Sequence, residues 1–134
     1  MNKLSKRWKE FGQLIDIVDI RINKQQRKLV SLRKQYQELF NIIEKKWKEI
    51  EKEQQYLKAI NVASEPNALS RMFMRRESTK SSIESLFFDA SIRRQDLEEV
   101  ELQITNVEAA KRKLEKRKDA LIELREKMRY ESHD

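Results

Sequence analysis

The sequence of 134 residues contains no cysteine, one glycine (Gly12) and one proline (Pro66). Sheets and compact α/β domains need such residues at their turns, so a chain this poor in glycine and proline has very few turns. The absence of cysteine excludes disulfides, Cys/His zinc sites and cysteine nucleophiles, and it is typical of proteins from reducing compartments. We therefore expect long helices and a cytoplasmic protein.

Long apolar runs and catalytic residue types are also scarce. No apolar run exceeds three residues, so we expect neither a signal-peptide core nor a transmembrane segment. The only histidine, His133, lies at the C-terminus, and a single glycine excludes a glycine-rich phosphate loop. Carboxylate pairs such as Glu98 with Glu101 are typical of a solvated helix face. We interpret the chain as a non-enzyme with no catalytic, cofactor-binding or metal-binding residue and no small-molecule substrate.

What the sequence does contain is charge and periodicity: 40% of the residues are charged, 38% are apolar, and the formal net charge is +7. Richness in Lys, Glu, Leu, Arg and Gln is typical of coiled coils. Alternating steps of four and three residues from Leu4 to Ile60 meet an apolar residue at 14 of 17 positions. This pattern predicts a heptad seam, meaning a row of core positions along one helix face. The polar exceptions, which we expect to fix register or thin the core, are Gln25, Lys46 and Glu53.

A second seam follows the only proline. From Leu69 to Val107 the same steps meet an apolar residue at nine of 12 positions, and Ser64 can cap a helix that begins near Pro66. The sequence therefore predicts an all-α fold, a single long antiparallel two-helix coiled-coil hairpin over residues 1–134. Its expected parts are helix 1 at about 3–61, a turn at about 62–65 and helix 2 at about 66–130.

Beyond Val107 the frame of the second seam is ambiguous. An unchanged frame would place Lys111, Lys118 and Arg125 in the core, whereas a three-residue stammer would place mainly apolar residues there. We favour the stammer. The core positions would then be Ala110, Leu114, Arg117, Leu121, Leu124 and Met128.

The excess of positive charge lies in the first half of the chain. Residues 1–62 hold 15 Lys/Arg and 8 Asp/Glu, whereas residues 63–134 hold 15 of each. Folding back at the midpoint pairs positions whose numbers total about 127, which sets Lys28 beside Glu99. Exposed ion pairs are worth only a few tenths of a kcal/mol each, so we expect them to select register, and they weaken a nucleic-acid interpretation. The acidic residues expected beside the basic run 21–34 are Asp96, Glu98, Glu99 and Glu101. The reverse pairing sets the basic residues of 111–118 beside Glu10, Asp16 and Asp19.

Apolar bulk near the termini marks a first candidate binding site. Trp8 and Phe11 broaden the apolar surface of this open end, where the pairing brings them close to Met128. Lys6 and Arg7 make the same end basic, which suits an acidic partner surface. We define the open end by these five residues.

A second candidate site is a set of aromatic residues partway along the helices. The predicted pairing brings Phe40 near Phe87, with Phe88 adjacent. These rings either widen a two-helix core or mark partner sites that a two-helix core cannot cover. We call them the aromatic belt, and its members are Phe40, Trp47, Phe73, Phe87 and Phe88.

A small, basic, cysteine-free protein that forms one antiparallel coiled coil, with apolar-rich paired termini, a mid-chain turn and polar residues Gln25, Lys46 and Glu53 in its seam, resembles the FliJ/YscO family. These are the central-stalk proteins of flagellar and virulence type III secretion systems. The resemblance covers essentially the whole chain and rests on length, layout and charge. It implies a cytoplasmic stalk, similar to the γ subunit of rotary ATPases, at the cytoplasmic face of a membrane secretion apparatus.

The resemblance also implies partners. The paired termini would insert into a hexameric export ATPase, the remaining length would contact the export gate, and secretion chaperones would be further partners. A generic coiled-coil scaffold or a secretion chaperone is the alternative function. A nucleic-acid or acidic-membrane binder is a third hypothesis, which would show steep salt dependence. Polar seam positions suit a monomeric hairpin as well as a four-helix dimer.

Overall fold

The computed structural model describes residues 3–60 and 67–131. Two helices, α1 (Lys3–Ala59, 57 residues) and α2 (Ala68–Glu131, 64 residues), account for almost all of them. The N-terminal part of α1 contacts the C-terminal part of α2, so the helices run antiparallel. The predicted all-α two-helix hairpin is confirmed.

Both helices are about two residues shorter at the turn than the sequence predicted. α1 ends at Ala59 instead of about 61, and α2 begins at Ala68 instead of about 66. The expected turn at 62–65, with Ser64 and Pro66, lies outside the described residues. Asn67 directly before α2 has a φ of 65°, and its carbonyl oxygen accepts a hydrogen bond from the Arg71 amide at 3.0 Å. Asparagine tolerates this left-handed conformation better than most residues, which explains its place at the helix start.

The chain divides into two units, each an antiparallel pair of helical segments. Unit 1 combines residues 1–34 and 102–134, and unit 2 is residues 35–101. Unit 1 holds 19 Lys/Arg and 10 Asp/Glu, an excess of nine positive charges, while unit 2 holds 11 and 13. All of the net positive charge of the chain therefore belongs to unit 1.

Each unit has a narrow core made of seam residues. In unit 1 the side chains of Ile15, Val18 and Leu29 are buried. In unit 2 the buried apolar residues are Ile50, Ala90 and Val100. Full burial of one such Val, Leu or Ile side chain contributes about 1.5–3 kcal/mol, so a few residues supply much of the stability of each unit.

Thr79 is a buried polar residue in the seam of unit 2. Its hydroxyl donates a hydrogen bond to the carbonyl oxygen of Arg75 one turn earlier, at 2.8 Å. This local bond satisfies the hydroxyl without a partner from α1, so a threonine fits a core position there.

The predicted stammer in α2 is wrong. Arg117 and Leu124, which the stammer would put in the core, are exposed, whereas Lys111, Lys118 and Arg125 are half-buried. The three-four frame therefore continues unbroken through the end of α2. Lysine and arginine have long aliphatic stems that can lie in a seam while the charged group reaches its edge, so a basic residue at a core position does not require a frame shift.

The predicted pairing register is also wrong. In unit 1, Lys111 contacts Gln26 and Lys118 contacts Asp19, and the residue numbers of each pair total 137 rather than 127. In unit 2, Lys46 contacts Asp89, a total of 135. The observed register gives polar partners to three seam cations, Lys46, Lys111 and Lys118. Leaving a cation in the seam without a partner costs more than exposed ion pairs contribute, and this difference explains why the expected surface pairing is not the one adopted.

Candidate functional site

Three basic residues occupy successive equivalent seam positions of α2 in unit 1, and we call them the basic ladder. They face a row of α1 residues with the same seven-residue spacing. Because both rows repeat every seven residues, the same arrangement, a basic residue of α2 facing a residue of α1, occurs three times. The facing pairs are Lys111 with Gln26, Lys118 with Asp19, and Arg125 with Gly12.

Lys118 forms the shortest of these contacts. Its Nζ lies 2.6 Å from Oδ1 of Asp19, and its side chain is only one third exposed. The hydrogen bond to Asp19, followed by the charge of that carboxylate, raises the pKa of Lys118 above its ordinary value of 10.5. Lys118 therefore remains protonated through the whole physiological pH range.

Lys111 joins the two helices one heptad closer to the turn. Its Nζ donates a hydrogen bond to Oε1 of Gln26 at 2.7 Å and lies 3.7 Å from Oε1 of Glu115 on its own helix. The side chain is 29% exposed. A neutral acceptor across the seam and an anion within the same helix together satisfy this partly buried cation.

Arg125 ends the basic ladder against an aromatic ring. Its guanidinium carbon lies 4.1 Å from the centroid of the Trp8 ring, which is cation–π geometry. A Cβ atom added to Gly12 would lie 3.2 Å from Nη2 of Arg125, so the glycine leaves room for the guanidinium. Nε of Arg125 is buried without a hydrogen-bond partner. Trp8, Gly12 and Arg125 therefore form one packed group.

The open end thus has one ring already in contact within the chain. Trp8, Phe11 and Met128 are half-buried, and Lys6 and Arg7 are exposed. Part of each apolar side chain remains accessible, while one face of Trp8 is covered by a cation. This end of unit 1 presents a mixed apolar and basic surface.

The aromatic belt residues do not pair as the sequence suggested. Phe87 contacts Trp47 edge to face, with ring centroids 5.2 Å apart, and Phe40 stacks on Tyr36 at 6.4 Å. The expected approach of Phe40 to Phe87 is wrong, because the register differs from the predicted one by about a heptad. Trp47 is nevertheless 46% exposed, so the Trp47–Phe87 pair lies at the margin of the core, where solvent reaches it.

Phe73 and Phe88, the other two belt residues, are largely exposed, at 62% and 67%. Next to Phe73, Leu69 and Met74 are exposed as well. The start of α2 therefore presents a second apolar surface within unit 2.

The basic run 21–34 is not neutralised as predicted. Only Arg33 forms an ion pair, with Glu108 at 3.6 Å, and not with Asp96, Glu98, Glu99 or Glu101. Within the described residues, the other five Lys and Arg side chains of the run have no ion-pair or hydrogen-bond partner. Ion pairs within the chain therefore leave this run available to an anionic partner.

Sequence reasoning missed the basic ladder. The signal was present, because Lys111, Lys118 and Arg125 fall on the unbroken frame at intervals of seven residues. Asp19 was expected beside residues 111–118, and its contact with Lys118 is confirmed. Gly12 and Gln26 were harder to recognise, since they lie beside the seam of α1 and carry no charge. The ladder follows only when both the frame and the register are known.

Within residues 3–60 and 67–131, no group of three or more His, Asp or Glu side chains is arranged to hold a metal ion. Neither helix contains, in the part of the chain that the structure describes, a stretch long and apolar enough to cross a membrane.

Comparisons with protein-family models, with curated proteins and with solved structures give no match for this chain.

Proposed function

We propose that the chain is a non-enzymatic coiled-coil stalk or adaptor of a type III secretion export ATPase, which links the ATPase to the export gate. The observation that carries this proposal is that each unit presents its own accessible aromatic surface. An adaptor needs two binding surfaces, whereas a simple two-helix scaffold needs only its seam. The resemblance to FliJ/YscO stalk proteins supports the choice of this adaptor class.

In this proposal the open end binds the hexameric ATPase. Trp8, Phe11 and Met128 supply partly accessible apolar side chains, and Lys6 and Arg7 add positive charge around them. Half-buried aromatic anchors surrounded by charge are typical of binding hot spots, and charge complementarity with an acidic channel wall would speed association.

The aromatic belt in unit 2 would contact the export gate. Trp47 and Phe87 form a ring pair that solvent can reach. The side chains of Phe73 and Phe88 are more than half exposed, and exposed aromatic side chains grouped together are typical of binding surfaces. The role places the protein at the cytoplasmic face of a secretion apparatus, and secretion chaperones are further candidate partners. It requires no catalytic residue, cofactor or small-molecule substrate.

The test is affinity purification of the tagged protein from its native cytoplasm, with identification of associated proteins by mass spectrometry. We expect a hexameric export ATPase to copurify, and we expect the Trp8→Ala/Phe11→Ala variant to lose it. The matched control is Ile20→Ala/Tyr130→Ala, which removes two apolar side chains that are 66% and 72% exposed in the same unit. Circular dichroism must show that both variants keep the helicity of the wild type.

The alternative function is a generic coiled-coil scaffold or a secretion chaperone. Recovery of secreted substrates without the ATPase would support the chaperone role. Recovery of neither, with intact binding of other coiled-coil proteins, would support the scaffold and contradict the stalk proposal.

A further inference from the structure

One side of unit 1, over residues 21–28 and 113–117, carries only positive charge. With core positions Ile22 and Lys111 labelled a, its residues stand at heptad positions g and c. Position g flanks the seam on the side opposite to the ion pairs, and c lies next to g on the outer surface of each helix. All are exposed, and none has an ion-pair or hydrogen-bond partner among the described residues. We call this set the basic face, and its members are Arg21, Lys24, Lys28, Lys113 and Arg117.

The acidic residues of unit 1 near this level lie on the other side of the seam. Glu108 is engaged by Arg33 and Arg112, Glu115 by Lys111, and Asp19 by Lys118. At the g and c positions of residues 21–35 and 103–120 there is no Asp or Glu. At this level of unit 1, the acidic residues and their ion pairs lie on one side of the seam. Among the described residues, the other side carries unpaired cations only.

The register places the two basic rows next to each other. A residue-number total of 137 sets Lys24 level with Lys113, and Arg21 level with residue 116, next to Arg117. In antiparallel coiled coils, positions of the same type flank the seam together, and opposite charges there stabilise the pairing. Arg21 and Arg117 both stand at g positions, where like charges destabilise the hairpin, so an anionic partner that neutralises them would add stability on binding.

A shallow apolar groove between the helices adjoins the basic face at Lys28. The groove has a volume of about 360 Å³, with Leu32 and Val107 at its floor and Lys28 and Gln103 at its rims. Both floor residues are only half-buried, so an added side chain could cover them. Toward the open end, the same side of the unit carries three exposed apolar residues, Leu14, Ile17 and Leu124.

We propose that the basic face and its groove bind an acidic amphipathic helix of a partner protein, as a third helix packed beside α1 and α2. Apolar residues of that helix would cover Leu32 and Val107, and its Asp and Glu side chains would meet the two basic rows. The proposal does not depend on the identity of the ATPase or the gate.

The apolar groove favours a protein helix over the other polyanions. Stacking of nucleic-acid bases needs exposed aromatic rings, and the basic face contains no aromatic residue. A phosphate backbone would leave the apolar floor and the Leu14–Ile17 surface uncovered. A helix that binds a membrane surface usually has a continuous apolar face with aromatic or leucine side chains. On this side of unit 1, Arg and Lys residues interrupt any such face.

The experiment uses the full chain and a labelled synthetic peptide of about three heptads, with leucine at its core positions and glutamate beside them. Fluorescence anisotropy measures binding to the wild type and to Lys24→Gln/Lys28→Gln/Lys113→Gln. The matched control, Arg27→Gln/Lys34→Gln/Lys116→Gln, removes three cations from the faces that point away from the seam. We expect the basic-face variant to bind at least about tenfold more weakly and the control to stay within about twofold.

Several results would overturn the proposal. No binding of the acidic peptide to the wild type, equal losses in the two triple variants, or equal binding of a peptide with glutamine in place of glutamate would each do so. Tighter binding of duplex DNA or of phosphatidylserine vesicles, with the same loss in the basic-face variant, would assign the face to nucleic acid or to lipid. Loss of a wild-type dimer in that variant, measured by sedimentation, would assign it to a second copy of the chain. Circular dichroism verifies that each variant remains helical.

Discussion

Lys118 and Asp19 join the two helices of unit 1 from a core position of α2 to a flanking position of α1, with Nζ and Oδ1 2.6 Å apart. This contact is the middle one of three that repeat every seven residues along the basic ladder. Since a one-residue change of register would separate all three pairs together, the basic ladder specifies the alignment of α1 with α2 more strictly than the apolar seam does.

The raised pKa of Lys118 predicts a defined response to alkaline pH. A lysine whose pKa is higher in the folded state stabilises the fold below 10.5, and this stabilisation is lost as the pH rises through the raised value. In Asp19→Asn the main cause of the shift is gone, so the pKa of Lys118 should fall. NMR titration of the lysine side chains measures this pKa directly. An unchanged Lys118 pKa in Asp19→Asn would contradict the contact.

Gly12 should be intolerant of a large side chain despite its place within a helix. Leucine has a higher helix propensity than glycine by close to 1 kcal/mol, yet Gly12→Leu should lower the melting temperature, because its side chain would displace Arg125 from Trp8. Tryptophan fluorescence should change at the same time. In an Arg125→Ala background the penalty should disappear, and a penalty that persists there would show that Arg125 is not its cause.

The register can be tested by cysteine crosslinking within unit 1. Arg21→Cys with Arg117→Cys should crosslink within one chain through a short bismaleimide, because the observed register sets Arg21 level with residue 116, next to Arg117. Arg21→Cys with Asn106→Cys, the pairing that a total of 127 requires, should not. Preferential crosslinking of the second pair would restore the register suggested by charge alone.

The cations in the seam should lower the stability of the hairpin and, at the same time, select one register. Replacing Lys111 with leucine should raise the melting temperature, since an apolar residue suits a core position better than a partly buried cation. The same change should increase the fraction of chains in alternative registers or oligomers, as measured by the crosslinks above and by sedimentation. A stable variant with a single register and no change in oligomeric state would show that Lys111 has no part in specificity.

The aromatic belt predicts that binding and folding can be separated. Trp47→Ser/Phe73→Ser should leave the hairpin folded and the ATPase bound, but abolish secretion, if the belt contacts the gate. Phe73→Ser alone should cost little stability because the ring is largely exposed. Trp47 and Phe87 should couple by about 0.5–1.5 kcal/mol in a double-mutant cycle.

The matched control for the belt is Ile42→Ser/Tyr56→Ser, which changes two exposed apolar side chains of the same unit, away from the belt and from the apolar surface at the start of α2. Equal loss of secretion in both double variants would contradict a specific role for the belt. A large drop in melting temperature for the belt variant would return its residues to packing.

The helices and their antiparallel pairing could be predicted because they follow from local properties. Seam periodicity and the lack of glycine and proline act on each stretch of chain separately, so they specify long helices without knowledge of the partner helix. Register is different. An apolar seam matches itself after every heptad, and the choice between heptads depends on a few polar contacts distant in sequence, such as Lys118 with Asp19.

The errors at the candidate site have the same origin. Phe40 and Trp47 are equivalent flanking positions one heptad apart, so a register error of that size exchanges one for the other opposite Phe87. The frame error arose from treating a cation in the seam as unfavourable. Lys111 and Arg125 show that a partner across the seam and an aliphatic stem remove that objection.

The repeat of the basic ladder also determines how α2 can slide along α1 in unit 1. A displacement of seven residues, about 10 Å, brings Arg125 to Asp19 and Lys118 to Gln26, so two of the three contacts are replaced by equivalent ones. The same displacement brings Lys111 to Arg33, where two cations repel. Intermediate displacements offer no such contacts. Axial motion within the unit is therefore confined to discrete steps of one heptad, and Arg33 opposes the step in that direction.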